Sequence, residues 1–527
     1  MWSFAWKITS FILPLITLTT ARLFDGRLHS NSPSLHKVAS ARFLDGKLHA
    51  NSTSPSLHKV TSARLLDGRL HANSPPLHKV PVFATNDRRP TDVTGASLPP
   101  LSTVYTFDQP IDHTNASSAT FQQRYWTTWE WYETGGPIIL FTPGEENAEP
   151  YIGYLTNETI NGQIAQQEHG ATIVLEHRYY GLSNPFSDLS VQSLQYHTIQ
   201  QAIDDLEYFA TNVQLPMPGG DDVSIATTPW VLVGGSYSGA LTSWTMVNKA
   251  GLFSAGYASS AVVQATVDFW AYFEPIRQFM PANCSADVEA VIGHIDSVFT
   301  NGSTSDIDQL KALFGWQNLT HLDDAAGSLR NNLWDWQSLD VDTGPGGQFF
   351  KFCDALEVQN GTSAPASGWG LTIALQAWAS YWTTTYYPQS KCNELGFYQE
   401  GTPSEDQPTL VSRLIQPAYD ERQCTLRFPG AWSSPPTPSA DSVNTAYDGW
   451  NVAIDRLFFA NGQRDPWRGA TVSANATDLQ STTQLAMGDG FHCSDLLTSN
   501  GVVDNTVLAV QAQGLASINA WLANAVP

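Results

Sequence analysis

Three continuous apolar runs, bounded by turn residues and separated by helix-compatible sequence, constrain the fold of this 527-residue chain more than any other feature. They are PIILFTP (137–143), ATIVLEHRYY (171–180) and PWVLVGGS (229–236). A strand with one wet face alternates apolar and polar residues, because successive side chains point to opposite sides. A run without that alternation belongs to a strand covered on both faces. Helix-compatible segments accompany these runs. One is 194–212, with Tyr196, Ile199, Ile203, Leu206 and Ala210 at three- and four-residue spacing, and another is 239–250. Such alternation predicts an α/β fold, a doubly wound and mostly parallel sheet with helices on both sides. The strand signal fades after residue 265. Residues 266–430 read as helical and rich in Trp and Tyr, and the Pro/Ser stretch 428–441 closes them off. Strand-like runs return at 456–462 (RLFFANG) and 482–488 (TTQLAMG), and 506–524 reads as a closing helix. The predicted organisation is a core over 91–265, a helical cap insertion over 266–440 and the remainder of the core over 441–527.

The N-terminus has another character. Lys7, the apolar stretch Ile8 to Leu18 and the small residues Thr19-Thr20-Ala21 read as a secretory signal peptide over 1–21. The apolar run falls short of the ~20 residues that spanning a bilayer needs. Residues 22–90 hold three copies of a basic, His-bearing unit of about twenty residues, with little apolar surface to stack. They read as a disordered pro-segment or spacer that the mature protein does not need. Residues 22–89 carry 11 Lys and Arg against 4 acids, whereas 90–527 carry 14 against 45, a balance of −31. A body that acidic repels nucleic acid and anionic membranes, so neither is an expected partner. It repels itself less at pH 4–5, which suits an acidic lumen or medium. Sequons at Asn51, Asn115, Asn157, Asn283, Asn301, Asn318, Asn360 and Asn475 agree with secretion. Five cysteines in an oxidising compartment suggest two disulfides and one thiol. None has metal-ligand spacing, and no metal or cofactor is expected.

The sharpest chemical signal is VLVGGSYSGALTSW (231–244), an apolar strand running through Gly234-Gly235-Ser236-Tyr237-Ser238 into a helix. This is the context of a nucleophile elbow, whose tight turn tolerates only small residues two before and two after the serine. Gly234 fits; Ser238 stands where glycine is usual. A serine nucleophile needs a base, and the base an orienting carboxylate, in the chain order Ser, Asp, His for this architecture. Asp465 follows the strand-like RLFFANG, and His492 follows TTQLAMG and a Gly-rich turn. Only seven histidines lie outside the repeats, and His492 is the only one after the Pro/Ser stretch. The oxyanion hole would use the backbone N–H of Tyr237 and a second donor near Glu145, in the loop after PIILF.

GGSYSGALTSW (234–244), EHRYYG (176–181), KCNELGFYQ (391–399), NGQRDPW (461–467) and GFHCSDL (490–496) occur in order across residues 100–525. Together they resemble the lysosomal Pro-X carboxypeptidase and dipeptidyl-peptidase II family, most of all its secreted fungal acid prolyl endopeptidases. The resemblance implies an α/β-hydrolase core with a helical cap, peptide or protein substrates cleaved after proline, and activity at acidic pH. It implies the triad Ser236, Asp465 and His492, and a proline pocket lined by Trp467. It also implies a Cys392–Cys424 disulfide, which leaves Cys284 to pair with Cys353. Activity at pH 4–5 would require His492 to titrate below its ordinary 6.5, through burial or a cation such as Arg464 or Arg468. Two other functions share these residues: a lipase or esterase with the same triad, and an inactive protein whose cap aromatics bind a ligand.

Overall fold

A computed structural model describes residues 80–82, 89–386, 399–427, 434–435, 438, 440–475 and 482–524. The signal peptide, nearly all of the repeats, Cys392 and the side chains of Cys424 and Asn475 lie outside them. Eight strands form one sheet: β1 (Tyr105–Pro110), β2 (Thr120–Thr128), β3 (Ile138–Thr142), β4 (Ala171–Leu175), β5 (Trp230–Gly235), β6 (Ala255–Ser259), β9 (Leu457–Gly462) and β10 (Gln484–Gly488), with β7 (Val358–Gln359) and β8 (Thr362–Ser363) making a separate small hairpin. The order is β1-β2-β4-β3-β5-β6-β9-β10. Every pair from β4 to β10 is parallel, and β1-β2 and β2-β4 are antiparallel. This is the α/β-hydrolase arrangement.

The two-sided burial expected of the apolar runs is what orders the core. Ile138, Leu140, Ile173, Trp230 and Leu232 enter one apolar cluster with the helices Ile199–Asn212 and Tyr237–Asn248. Their neighbours Ile139, Phe141, Val174, Val231 and Val233 enter another, with Ile160–Glu168 and the closing helix Asn505–Leu522. Alternate residues of each strand feed opposite layers. Between β6 and β9 the described residues are mainly helical, including Ala282–Asn301, Gln348–Glu357, Leu371–Tyr381 and Pro417–Arg427. The Cys284–Cys353 disulfide ties the first two of these helices together.

Two readings need correction. The helix expected over 194–212 starts at Ile199, after a separate turn at 193–196. Thr198 caps it by accepting from the Gln201 N–H, which ends the preceding turn. The second correction concerns the N-terminal segment, because its end is part of the fold. The third copy finishes Val80-Pro81-Val82 where the others have Val-Ala-Ser and Val-Thr-Ser, and Val80 is buried in the second apolar layer.

A buried ion pair joins the antiparallel edge to the parallel strands. Arg178 Nε and Nη2 donate to both Asp205 carboxylate oxygens at 2.6 and 2.5 Å, and the same guanidinium donates to the carbonyls of Pro110, Ile111 and Tyr196. His113 Nε2 meets Asp205 at 2.7 Å. Breaking such a pair from one side strands a charge in the interior, at a cost of about 3–5 kcal/mol. Asp205→Ala is therefore expected to lower stability by that amount in denaturant titration. A loss below about 1 kcal/mol would show that the pair is not a structural anchor.

Candidate active site

Ser236 stands between β5 and its helix with φ 57° and ψ −124°, a conformation that costs non-glycine residues energy and persists only when its surroundings enforce it. The enforcement is visible. Ser236 N–H donates to the Ser259 carbonyl at 2.9 Å, and the Ser236 carbonyl accepts from Ala240 N–H at 3.0 Å. A Cβ on Gly234 would lie 2.1 Å from the Ser238 carbonyl oxygen, so only glycine fits there. Ser238 fits because its hydroxyl folds back onto Gly235, accepting from its N–H at 3.0 Å and donating to its carbonyl at 2.8 Å.

Asp465 begins a short 3-10 turn after β9 and caps it, accepting from Trp467 N–H at 2.9 Å. His492 follows β10, and its Nδ1 meets Asp465 Oδ1 at 2.9 Å. That bond fixes the tautomer with Nε2 free. Among the described residues neither His492 Nε2 nor Ser236 Oγ has a hydrogen-bond partner, though both are buried. The two atoms therefore do not hydrogen-bond to each other here, and each keeps its capacity for a further partner. The His492 turn is tied to the same strand end as Ser236: Cys493 N–H donates to Ser260 Oγ at 2.9 Å, and Asp495 accepts from Ser259 Oγ and Tyr257 OH at 2.7 and 2.9 Å.

Tyr237 is the first residue of its helix, so its N–H has no partner within that helix. The loop after β3 presses on the same point. A Cβ on Gly144, whose φ is +78°, would sit 3.2 Å from the Tyr237 ring and 3.5 Å from Ser238 N. Glu145 follows at 8% exposure with Oε1 unpartnered among the described residues. Burial, helped by the neighbouring Glu146 charge, pushes its carboxyl up to about 8. The EHRYYG motif builds the scaffold beneath. Glu176 takes Arg124 and the N–H groups of Ala148, Leu182 and Ser183. His177 donates from Nδ1 to the Arg178 carbonyl and accepts the Tyr237 hydroxyl on Nε2 at 3.2 Å. Burial holds His177 down at about 4, so it stays a neutral acceptor.

Burial, the largest influence on His492, disfavours its cation. The charge and hydrogen bond of Asp465, with a contribution from Cys493, outweigh it, and the net direction is well upward. The depression that acid-range activity would require is absent. Neither suggested cation supplies it: Arg464 lies over the Phe491 ring, and Arg468 donates to Gln463 and Gln278. Trp467 is 3% exposed, its ring 6.4 Å from that of His492. Phe269 stacks on it at 5.5 Å, Tyr272 meets it edge-on, and Gln337 accepts its Nε1–H at 3.0 Å. Phe269, Tyr272 and Gln337 carried no motif in the sequence. Of the sequon asparagines, 115, 157, 301, 318 and 360 are exposed and Asn283 is half-buried.

The sequence profile of the serine carboxypeptidase S28 family matches residues 109–327 and 373–512. The chain is 35% identical to serine protease vicPa of Bipolaris victoriae over 474 residues, covering 79% of this chain and 88% of that one. It is 29% identical to a probable extracellular serine carboxypeptidase of Arthroderma benhamiae, covering 79% and 68%. It is 24% identical to the human lysosomal Pro-X carboxypeptidase, covering 82% and 91%.

Proposed function

The chain belongs to the serine carboxypeptidase S28 family, and on that premise we propose that it cleaves peptides on the carboxyl side of proline through Ser236, His492 and Asp465. It is a serine-type peptidase. The observation that carries the assignment is the Asp465–His492 hydrogen bond, with His492 Nε2 and Ser236 Oγ both left unpartnered beside it. In this reading Ser236 Oγ attacks the scissile carbonyl while neutral His492 Nε2 takes its proton. Asp465 holds the ring and stabilises the imidazolium that forms. The N–H groups of Tyr237 and Glu145 receive the developing oxyanion. His492 then protonates the departing amine, and water repeats the sequence on the acyl-enzyme.

Proline specificity rests on Trp467. Its position two residues after Asp465, bracketed by Phe269 and Tyr272, keeps a rigid apolar wall beside the base. A pyrrolidine ring is compact and apolar, and within a peptide its nitrogen carries no N–H that needs a partner. Secretion, or delivery to a lysosome-like lumen, is supported by the signal-peptide pattern, the exposed sequons and the extracellular and lysosomal relatives.

Ser236→Ala is expected to fold and to lose peptidase activity by several orders of magnitude, as triad nucleophile deletions do. Retention of more than about a tenth of the wild-type rate would remove Ser236 from the mechanism. Trp467→Ala should narrow the preference for proline over alanine before the scissile bond by roughly 1–3 kcal/mol, the scale of a buried apolar contact. An unchanged preference in a folded variant would move the pocket to the cap aromatics Trp378, Tyr381 or Trp382. The pH profile follows from the base. Only neutral His492 accepts the proton, its pKa is raised, and so kcat/KM falls as pH drops through a value above the ordinary 6.5. An acidic limb near pH 4 would show that substrate binding or a conformational change reverses the shift.

A further inference from the structure

The end of the third repeat lies under the active site. Val80 is 3% exposed and shares an apolar layer with Leu101, Trp126, Phe141, Tyr154 and Leu496. A Cβ placed on Gly235, the residue before Ser236, would meet Leu496 Cδ1 at 2.8 Å, Val80 Cγ2 at 3.0 Å and Cys493 Sγ at 3.1 Å. Val80 therefore touches the backbone of the nucleophile turn on the side where two residues of the His492 turn also converge. The next residue reaches the third turn of the site. The Pro81 carbonyl accepts from Tyr154 OH at 2.8 Å, and Tyr154 stacks at 4.3 Å on Phe141 of β3, the strand that leads into the Gly144–Glu145 loop. Burial keeps the Tyr154 phenol protonated, so it remains a donor throughout the working pH range.

We propose that Val80-Pro81 is a positioning wedge, an N-terminal segment docked from beneath that holds the Ser236 turn, the His492 turn and the end of β3 in register. The strain at Ser236 gives this contact its purpose. A residue at φ 57° relaxes when packing around it loosens, and close packing transmits small displacements because it has few voids to absorb them. The Leu-His-Lys-Val string preceding Pro81 recurs at 35–38 and 57–60. Only the third copy continues into Val-Pro-Val. The repeats end in a part of the enzyme that the mature protein needs.

The kinetic half of the test rests on Ser236 as nucleophile; the exchange half does not. Both use the full-length chain. Val80→Asp is expected to speed amide hydrogen exchange in 235–240 and 492–497 at least tenfold while leaving the insertion helix Ala282–Asn301 unchanged. It should lower kcat for a proline peptide at least tenfold with KM within about twofold, and Val80→Ile should restore both readouts. Val38→Asp with Val60→Asp should match the wild type. Unchanged exchange at the two turns in Val80→Asp would overturn the wedge, whatever the kinetics show. So would an equal effect from the Val38 and Val60 variant. A wild-type chain that hydrolyses no peptide would sink the catalytic reading and leave the exchange result to decide the wedge.

Discussion

The carboxyl end of β6 holds the site together. The Ser259 carbonyl accepts the N–H of Ser236, its hydroxyl donates to Asp495, and Ser260 Oγ accepts the N–H of Cys493. Ser260 in turn donates its own N–H to Ala460 of β9, the strand that delivers Asp465. Two adjacent serines thus bond to the Ser236 turn, the His492 turn and the strand that leads to Asp465. The first of these lies more than 200 residues before the other two in the chain, with the whole helical insertion between. A parallel sheet makes this possible because the ends of neighbouring strands lie side by side whatever the length of the connection. Tyr257 and Asp495 add a buried second tie, and burial moves the Asp495 carboxyl up to about 6.

What was legible in the sequence follows from the same geometry. β3, β4, β5 and β9 announce themselves because both of their faces are covered and their residues are mostly apolar. Ser236 is marked by the small residues its strained turn demands, and Asp465 and His492 by their places after late strands. β6 is nearly silent. Its Ala-Gly-Tyr-Ala-Ser is small apart from Tyr257, with Met246, Thr242 and Leu457 crowding Gly256, and smallness carries no periodicity. β1 is hard to see for the opposite reason, since it is an edge strand with Thr106 and Asp108 exposed. The supporting residues Ser259, Ser260, His177 and Gln337 act through hydrogen bonds to segments distant in the chain, and no local spacing encodes such bonds. Val80 was hidden by its setting: a repeat with little apolar surface gives no hint that one residue at its end enters the core.

Charge illustrates how far composition reaches. The −31 balance of the body concerns long-range repulsion and solubility. The ionisation of the site is decided over a few ångströms, by Asp465 against His492 and by burial of Glu145 and His177. An acidic surface and a histidine favoured as its cation coexist without contradiction, because they answer to different distances.

The central claim is that Ser236 alone among the many serines of the chain is activated, by a histidine held 2.9 Å from Asp465. The direct measurement is to react the full-length protein with a fluorophosphonate near pH 8, digest it and locate the adduct by mass spectrometry. The account predicts a single stoichiometric adduct on Ser236. A protein that stays unlabelled, or carries its adduct on another serine, would contradict it.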